Sequence, residues 1–205
     1  MAGSAPLSSA LDGGFTEPVL DAQGAFHAVM NALAEPGTVQ PVGPATQPPM
    51  PLSPVAGAIA LALCDADTPV WLDAGLAAEP AVTGWLSFHA GAPMVREPVA
   101  AAFAFIAEPA AMPPLAAFAQ GSLEYPDRSA TLVLQVAEFE GGETLVLEGP
   151  GIETQRRVAP RPLPADFTAQ RVANRALFPR GVDIVLAGPG GVMALPRSTR
   201  IVSGD

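Results

Sequence analysis

Seven prolines fall at positions 36, 41, 44, 48, 49, 51 and 54, and no regular helix or interior strand can cross that stretch. Each one lacks an amide donor and fixes φ, so the segment should run extended and poor in hydrogen bonds over the surface. Across 205 residues the 24 prolines and 20 glycines make about a fifth of the chain, which predicts short elements and many turns. With 49% hydrophobic and 15% charged residues, the chain still has enough apolar surface to offset its ordering entropy. Its length favours one α/β domain, with a flexible arm over 1–20 and the domain over 21–205.

Residues 1–20 carry Ser, Gly, Pro and Asp without a period. Ala22, Ala25, Phe26, Val29, Met30 and Leu33 then recur at the spacing of one helix face, with Asp21 as N-cap and Pro36-Gly37 as the stop. Beyond the proline run, Ser53-Pro54 supplies a cap and a first-turn proline for VAGAIALALC, apolar all round and therefore a buried helix. A turn at Asp65–Asp67 leads into a short interior strand over 68–73, and a helix follows over about 79–89. Strand is expected over 99–107, a short helix over 113–120, and a strand buried on both faces over 131–139. Gly141-Gly142 signals a hairpin whose return strand covers 143–148. A helix over 164–177 and strands over 182–187 and 192–195, joined around Gly188-Pro189-Gly190-Gly191, complete the chain. The pattern is α/β, a mixed, mostly parallel central sheet flanked by helices.

All 10 basic residues are arginine. Without lysine the chain can form neither a Schiff base nor a phosphate-binding P-loop. One cysteine, Cys64, allows no internal disulfide, and His27 and His89 add no spaced set that would bind zinc. Gly149-Pro150-Gly151 and Gly188-Pro189-Gly190 lack the third glycine of a dinucleotide fingerprint and read as turns. No GxSxG elbow is present. The longest apolar stretch, 54–64, is too short for a membrane span, and the first residues do not spell a signal peptide, so a cytoplasmic location is expected. Residues 1–155 carry net −15 and residues 156–205 net +5. An acidic body opposes nucleic-acid binding, whereas the arginine-rich tail suits one anionic ligand, an acidic partner, or carboxylates of its own chain.

Individual residues divide between chemistry and scaffold. Asp65 and Asp67 form a carboxylate pair that a plain turn also explains. His89, near a helix end before Gly91, is a base or a packed cap. Arg128 in Pro126-Asp127-Arg128-Ser129 could aim a guanidinium at an anion. Arg197, Ser198, Thr199 and Arg200 follow the last of these strands and form an anion-site candidate, or a segment tied down by its own hydrogen bonds.

Seven segments in order carry a resemblance: AFHAVMNALAEPGTV (25–39), LCDADTPVWLD (63–73), LSFHAGAPMV (86–95), GSLEYPDRSATLVLQV (121–136), LVLEGPGIE (145–153), FPRGVDIVLA (178–187) and ALPRSTRIV (194–202). Together they resemble the PhnH family, subunits of the bacterial carbon-phosphorus lyase core complex. The resemblance implies a fold like the large domain of pyridoxal-phosphate-dependent transferases but without cofactor or metal, a homodimer, and assembly with the G, I and J subunits. It implies a required subunit with no catalytic activity of its own, supporting formation of ribose 1-alkylphosphonate 5-triphosphate from ATP and an alkylphosphonate. The alternative is a small-molecule module holding a phosphonate or nucleotide phosphate through Arg197, Arg200 or Arg128. An autonomous hydrolase using His89 is a third reading. Carried over by position, Glu35, Asp67, His89 and Arg197 are candidate cleft or partner contacts, with Arg128 beside them.

Overall fold

In a computed structural model, which describes residues 12–43 and 46–202, alternation along three neighbouring strands sets the architecture. The first eleven residues of the expected arm lie outside the described residues. The helices are α1 (Pro18–Ala34), α2 (Pro54–Leu63), α3 (Ala74–Ala77), α4 (Pro80–Ala90) and α5 (Phe167–Ala176). The strands are β1 (Gln40–Pro41), β2 (Val70–Leu72), β3 (Phe103–Ile106), β4 (Thr131–Gln135), β5 (Leu145–Glu148), β6 (Arg156–Val158), β7 (Asp183–Gly188), β8 (Gly191–Leu195) and β9 (Arg200–Val202).

A six-stranded sheet runs β1-β8-β7-β4-β3-β2. Strands β2, β3, β4 and β7 are parallel, whereas β8 is antiparallel to both β7 and β1. The register aligns Phe105, Val133 and Val185 across β3, β4 and β7. These side chains pack with α1, α2 and α4 into one core cluster. Their neighbours Ala104, Leu132 and Ile184 point the other way, into a second cluster with Leu145 and Leu147 of β5 and Phe167 of α5. The central strands are thus buried on both faces, as an apolar run without polar alternation requires. A smaller antiparallel sheet, β6-β5-β9, belongs to the second layer.

The helix α2 forms as its sequence dictates: the Ser53 hydroxyl accepts from the Ala56 amide at 3.2 Å, and Pro54 occupies the first turn. Alanines and Gly57 let it pack closely, with Ile59 and Ala60 fully buried. At its C-terminal end burial pushes the Cys64 thiol up to about 12, with the charge of Asp65 adding to the effect. At pH 8.5 the folded chain should therefore react with a thiol reagent roughly a thousandfold more slowly than the urea-unfolded chain. Equal rates would show the thiol to be accessible and ordinary. Because the folded state favours the neutral thiol, this group's contribution to stability is lost as pH climbs from 9 toward 12.

Five expectations are corrected. The first helix begins at Pro18 rather than after Asp21, and Asp21 sits in the first turn, where its carboxylate accepts from the Glu17 amide at 2.8 Å. The expected arm is therefore helical over 18–20, and the Asp12 carbonyl accepts from the Trp85 indole at 3.0 Å. The buried face of α1 is Ala25, Ala28, Val29 and Ala32, while Phe26 and Met30 face outward; small residues permit close approach to α2 and β8. Residues 113–120 hold only a one-turn 3-10 segment, Leu115–Ala117, which stops where Phe118 takes an extended backbone and buries its ring. Residues 98–100 form another such turn ahead of β3. Gly141-Gly142 does not join a hairpin between neighbours: β4 stops at Gln135, and β5 pairs with β6 and β9 in the other sheet. The chain diverges because Ala137 and Glu138 donate to the Arg161 carbonyl and Gly142 donates to Ala159.

Candidate functional site

The carboxyl ends of β4 and β7 meet the start of α2, and in open α/β sheets this edge is where ligands are received. Gln135, the last residue of β4, ties the place together. Its Oε1 accepts from the Ser53 amide at 2.5 Å and its Nε2 donates to the Pro51 carbonyl at 2.9 Å, fixing the proline run against the strand end. The β7–β8 hairpin turns at Pro189-Gly190 beside it. Between these parts lies a cavity of about 450 Å³ lined chiefly by Val42, Pro54, Val55, Val136, Ala187 and Pro189. No titratable side chain lines it. Its chemistry is therefore apolar accommodation with a few amide and hydroxyl groups, and it offers no general acid or base.

The arginine-rich segment lies at the opposite, amino end of the parallel strands. Arg197 follows β8 and grips Asp183, the first residue of β7: Nε donates to Oδ1 at 3.2 Å and Oδ2 at 3.1 Å, and Nη2 to Oδ2 at 2.5 Å. The Arg197 amide also donates to Oδ1 at 2.7 Å, and its Nη1 donates to the Pro126 carbonyl at 2.6 Å. Both side chains are under a fifth exposed, 17% and 19%, so water screens the pair weakly. Arg171 of α5 is buried nearby and donates from Nη2 to the carbonyls of Pro196 (2.8 Å) and Thr199 (3.2 Å). Burial pushes its guanidinium below the usual range, and the charge of Asp183 offsets part of that. The 196–199 segment is thus held from both sides, and its arginine serves an intrachain carboxylate.

The other candidates are dispersed. Arg128 stacks over Tyr125, 4.2 Å from the ring centroid, on the turn that Arg197 anchors, so these two are brought to one place. Arg200 is paired with Glu148 at 3.1 Å. Asp67 lies on an exposed turn in which its amide donates to Asp65 Oδ1 at 2.9 Å, as does the Thr68 hydroxyl at 2.7 Å. Those hydrogen bonds hold the Asp65 carboxyl below its ordinary value. Glu35 caps α1, and its carbonyl accepts from the Thr38 hydroxyl at 2.8 Å. His89 packs its ring on Trp85 and Phe88, with centroids at 4.8 and 5.0 Å, against Gly14. None of the five lines the cavity at the strand ends. Among the described residues, no group of three or more His, Cys, Asp or Glu side chains could hold a metal ion. No helix among them is long and apolar enough to cross a membrane.

Three positions that organise these ends escaped the sequence reading. Asp73 is buried, and its carboxylate accepts from the amides of Leu76 (3.0 Å), Ala107 (2.8 Å) and Glu108 (3.0 Å), clamping the ends of β2 and β3 while capping α3. An Asp between a strand and Ala-Gly-Leu is a capping signal that could have exposed it. Asn174 holds the residue before β7 through both amide atoms, with the Val182 carbonyl and amide at 3.0 and 2.8 Å. Gln135 gave no local signal, since its partners lie more than 80 residues away.

A sequence model of the family described as bacterial phosphonate metabolism protein (PhnH) matches residues 13–202. The chain is similar to the Alpha-D-ribose 1-methylphosphonate 5-triphosphate synthase subunit PhnH of Rhizobium meliloti (strain 1021), with 44% identity over 194 residues, covering 95% of this chain and 96% of the relative. It is also 40% identical over 81 residues to the putative C-P lyase subunit protein HtxG of Stutzerimonas stutzeri, covering 40% of this chain and 42% of the relative.

Proposed function

Because the chain belongs to the PhnH family of bacterial phosphonate metabolism proteins, we propose that it is a required, non-catalytic subunit of a cytoplasmic carbon-phosphorus lyase core complex. In that role it supports formation of ribose 1-alkylphosphonate 5-triphosphate from ATP and an alkylphosphonate, as a homodimer assembling with G, I and J subunits. The observation that carries this reading is identity of 44% extending over 95% of the chain to a synthase subunit. Identity that spans the whole fold fits a conserved overall shape better than one grafted site.

The geometry agrees with assembly more than with chemistry. The strand-end cavity contains no titratable group, and Arg197 and Arg200 are each held by a carboxylate. On α1, Val19, Phe26 and Met30 share one outward face and are 80%, 43% and 46% exposed. That apolar stripe is a contact surface for another subunit in this reading. Exposed Glu35, Asp67 and Arg128 serve as polar contacts, His89 supports the packing beneath α1, and Arg197 acts by holding the turn that bears Arg128. Residues 21–205 act as one domain in this reading, with the arm before it. A mostly parallel sheet with one reversed strand inside its edge supports likeness to the large domain of pyridoxal-phosphate-dependent transferases. A chain without lysine has no side-chain amine to bind such a cofactor covalently.

Native mass spectrometry of the chain alone, and coexpressed with the G, I and J subunits of its own genome, tests the proposal. A dimer of twice 20.8 kDa that enters a larger assembly is expected. A chain that stays outside the assembly overturns the subunit reading.

A further inference from the structure

Strand β6 places two arginines on opposite faces. Arg156 turns toward the end of α1 and donates from Nη1 to the Pro36 carbonyl at 2.7 Å. Arg157, one residue on, pairs through its backbone with Val146 of β5, while its exposed side chain makes no hydrogen bond, ion pair or ring contact among the described residues. The other arginines of the basic tail differ. Arg161, Arg197 and Arg200 are paired with carboxylates, Arg171 donates to carbonyls and Arg175 stacks on Phe178; Arg180 also lacks a hydrogen-bond partner at Nε, but that atom is buried rather than open to a ligand.

Arg157 lines a recess of about 530 Å³ built from four separate stretches of chain. Buried Val158 and Met193 form its bottom, and Phe139 walls it. The ring of Phe139 is fixed because it lies on Gly188, where an added Cβ would stand 2.6 Å from it. Thr144, whose hydroxyl also has no hydrogen-bond partner among the described residues, and Glu140 complete the polar part of the rim. A fixed apolar wall beside an uncommitted guanidinium and a hydroxyl is the arrangement that small-molecule sites use to orient one charged end of a ligand.

We propose that this recess is a binding site for a small organic oxyanion carrying an apolar body. The oxyanion engages the Arg157 guanidinium and the Thr144 hydroxyl, and the body lies on Phe139, Val158 and Met193. Glu140 opposes negative charge at the rim, so it selects against highly charged anions. The site is remote in chemistry from the strand-end cavity and stands whether or not the subunit reading holds.

Titration calorimetry on the full chain tests it with phenylphosphonate, benzoate and inorganic phosphate. Phenylphosphonate should bind at millimolar concentration and more tightly than phosphate, which lacks the apolar body. Benzoate distinguishes a carboxylate ligand from a phosphorus oxyanion, and saturable binding of either organic probe supports the site. Arg157→Gln should weaken binding about tenfold or more, and Glu140→Gln should strengthen it several-fold. Both residues are exposed, so unchanged melting temperatures will show that the fold is retained. Three results overturn the proposal: no heat with either organic probe, equal affinity in Arg157→Gln, or phosphate binding as tightly as phenylphosphonate. If no probe binds and Arg157→Gln blocks entry into the larger assembly, the recess is a protein contact and the ligand reading fails.

Discussion

Asp183→Ala is expected to lower stability by about 3–5 kcal/mol, because it strands a poorly hydrated Arg197 guanidinium and withdraws the negative charge that offsets part of the burial of Arg171. For a chain of this length the melting temperature should fall by about 10 °C. The cost exceeds that of a surface pair, since both side chains are less than a fifth exposed. Urea unfolding of Asp183→Ala, Arg197→Ala and the double variant measures it. The double variant should be less destabilised than the sum of the singles, because no uncompensated charge remains at the pair. A single-variant loss below about 1 kcal/mol would mean that water replaces the carboxylate and that the clamp contributes little. The same substitution frees the turn at Pro126–Arg128, whose carbonyl Arg197 holds. Assembly with partner subunits should therefore weaken along with stability if Arg128 is a contact.

The second large effect is expected at Asp73. Its alanine variant leaves the amides of Leu76, Ala107 and Glu108 without their acceptor at a buried site, a loss of about 4 kcal/mol. Asp73→Asn keeps one carbonyl oxygen but puts an amide nitrogen where an acceptor is needed, so about half that loss is expected. Hydrogen exchange should localise the damage to the amides of α3 and of the chain just beyond β3, where the carboxylate joins two parallel strands through their ends. Uniform loss of protection across the chain, or equal costs for alanine and asparagine, would show that the three charge-assisted bonds are not the source.

These two carboxylates mark the boundary of what pattern reading reaches. Asp73 sits at the end of an expected strand, and its capping role toward Leu76 is local. Its grip on Ala107 and Glu108 depends on β3 lying beside β2, which no spacing in the sequence states. Asp183 and Arg197 are 14 residues apart along a hairpin that was legible, yet their pairing follows from the β7–β8 register. Arg197 consequently read either as an anion-binding candidate or as part of a segment tied down within the chain, and its charge is satisfied by Asp183. His89 read as a base, a cap or a packed side chain, and the structure packs its ring on Trp85.

What the sequence determined by itself was local in cause. Ser53-Pro54 started α2, the proline run left the two-residue β1 as the only regular element among the described residues of 36–53, the apolar runs of β4 and β7 required burial on both faces, and Gly188–Gly191 closed a hairpin. Each follows from φ restrictions, a missing amide donor or the period of side-chain alternation, which act over a few residues. The tertiary structure decided which elements became neighbours. It sent β5 into a second sheet despite the Gly141-Gly142 signal, turned Phe26 and Met30 of α1 outward, and left Arg157 uncommitted while its neighbours found acceptors. Those outcomes depend on side chains and backbone groups far apart in sequence competing for the same partners, and only the packed chain resolves that competition.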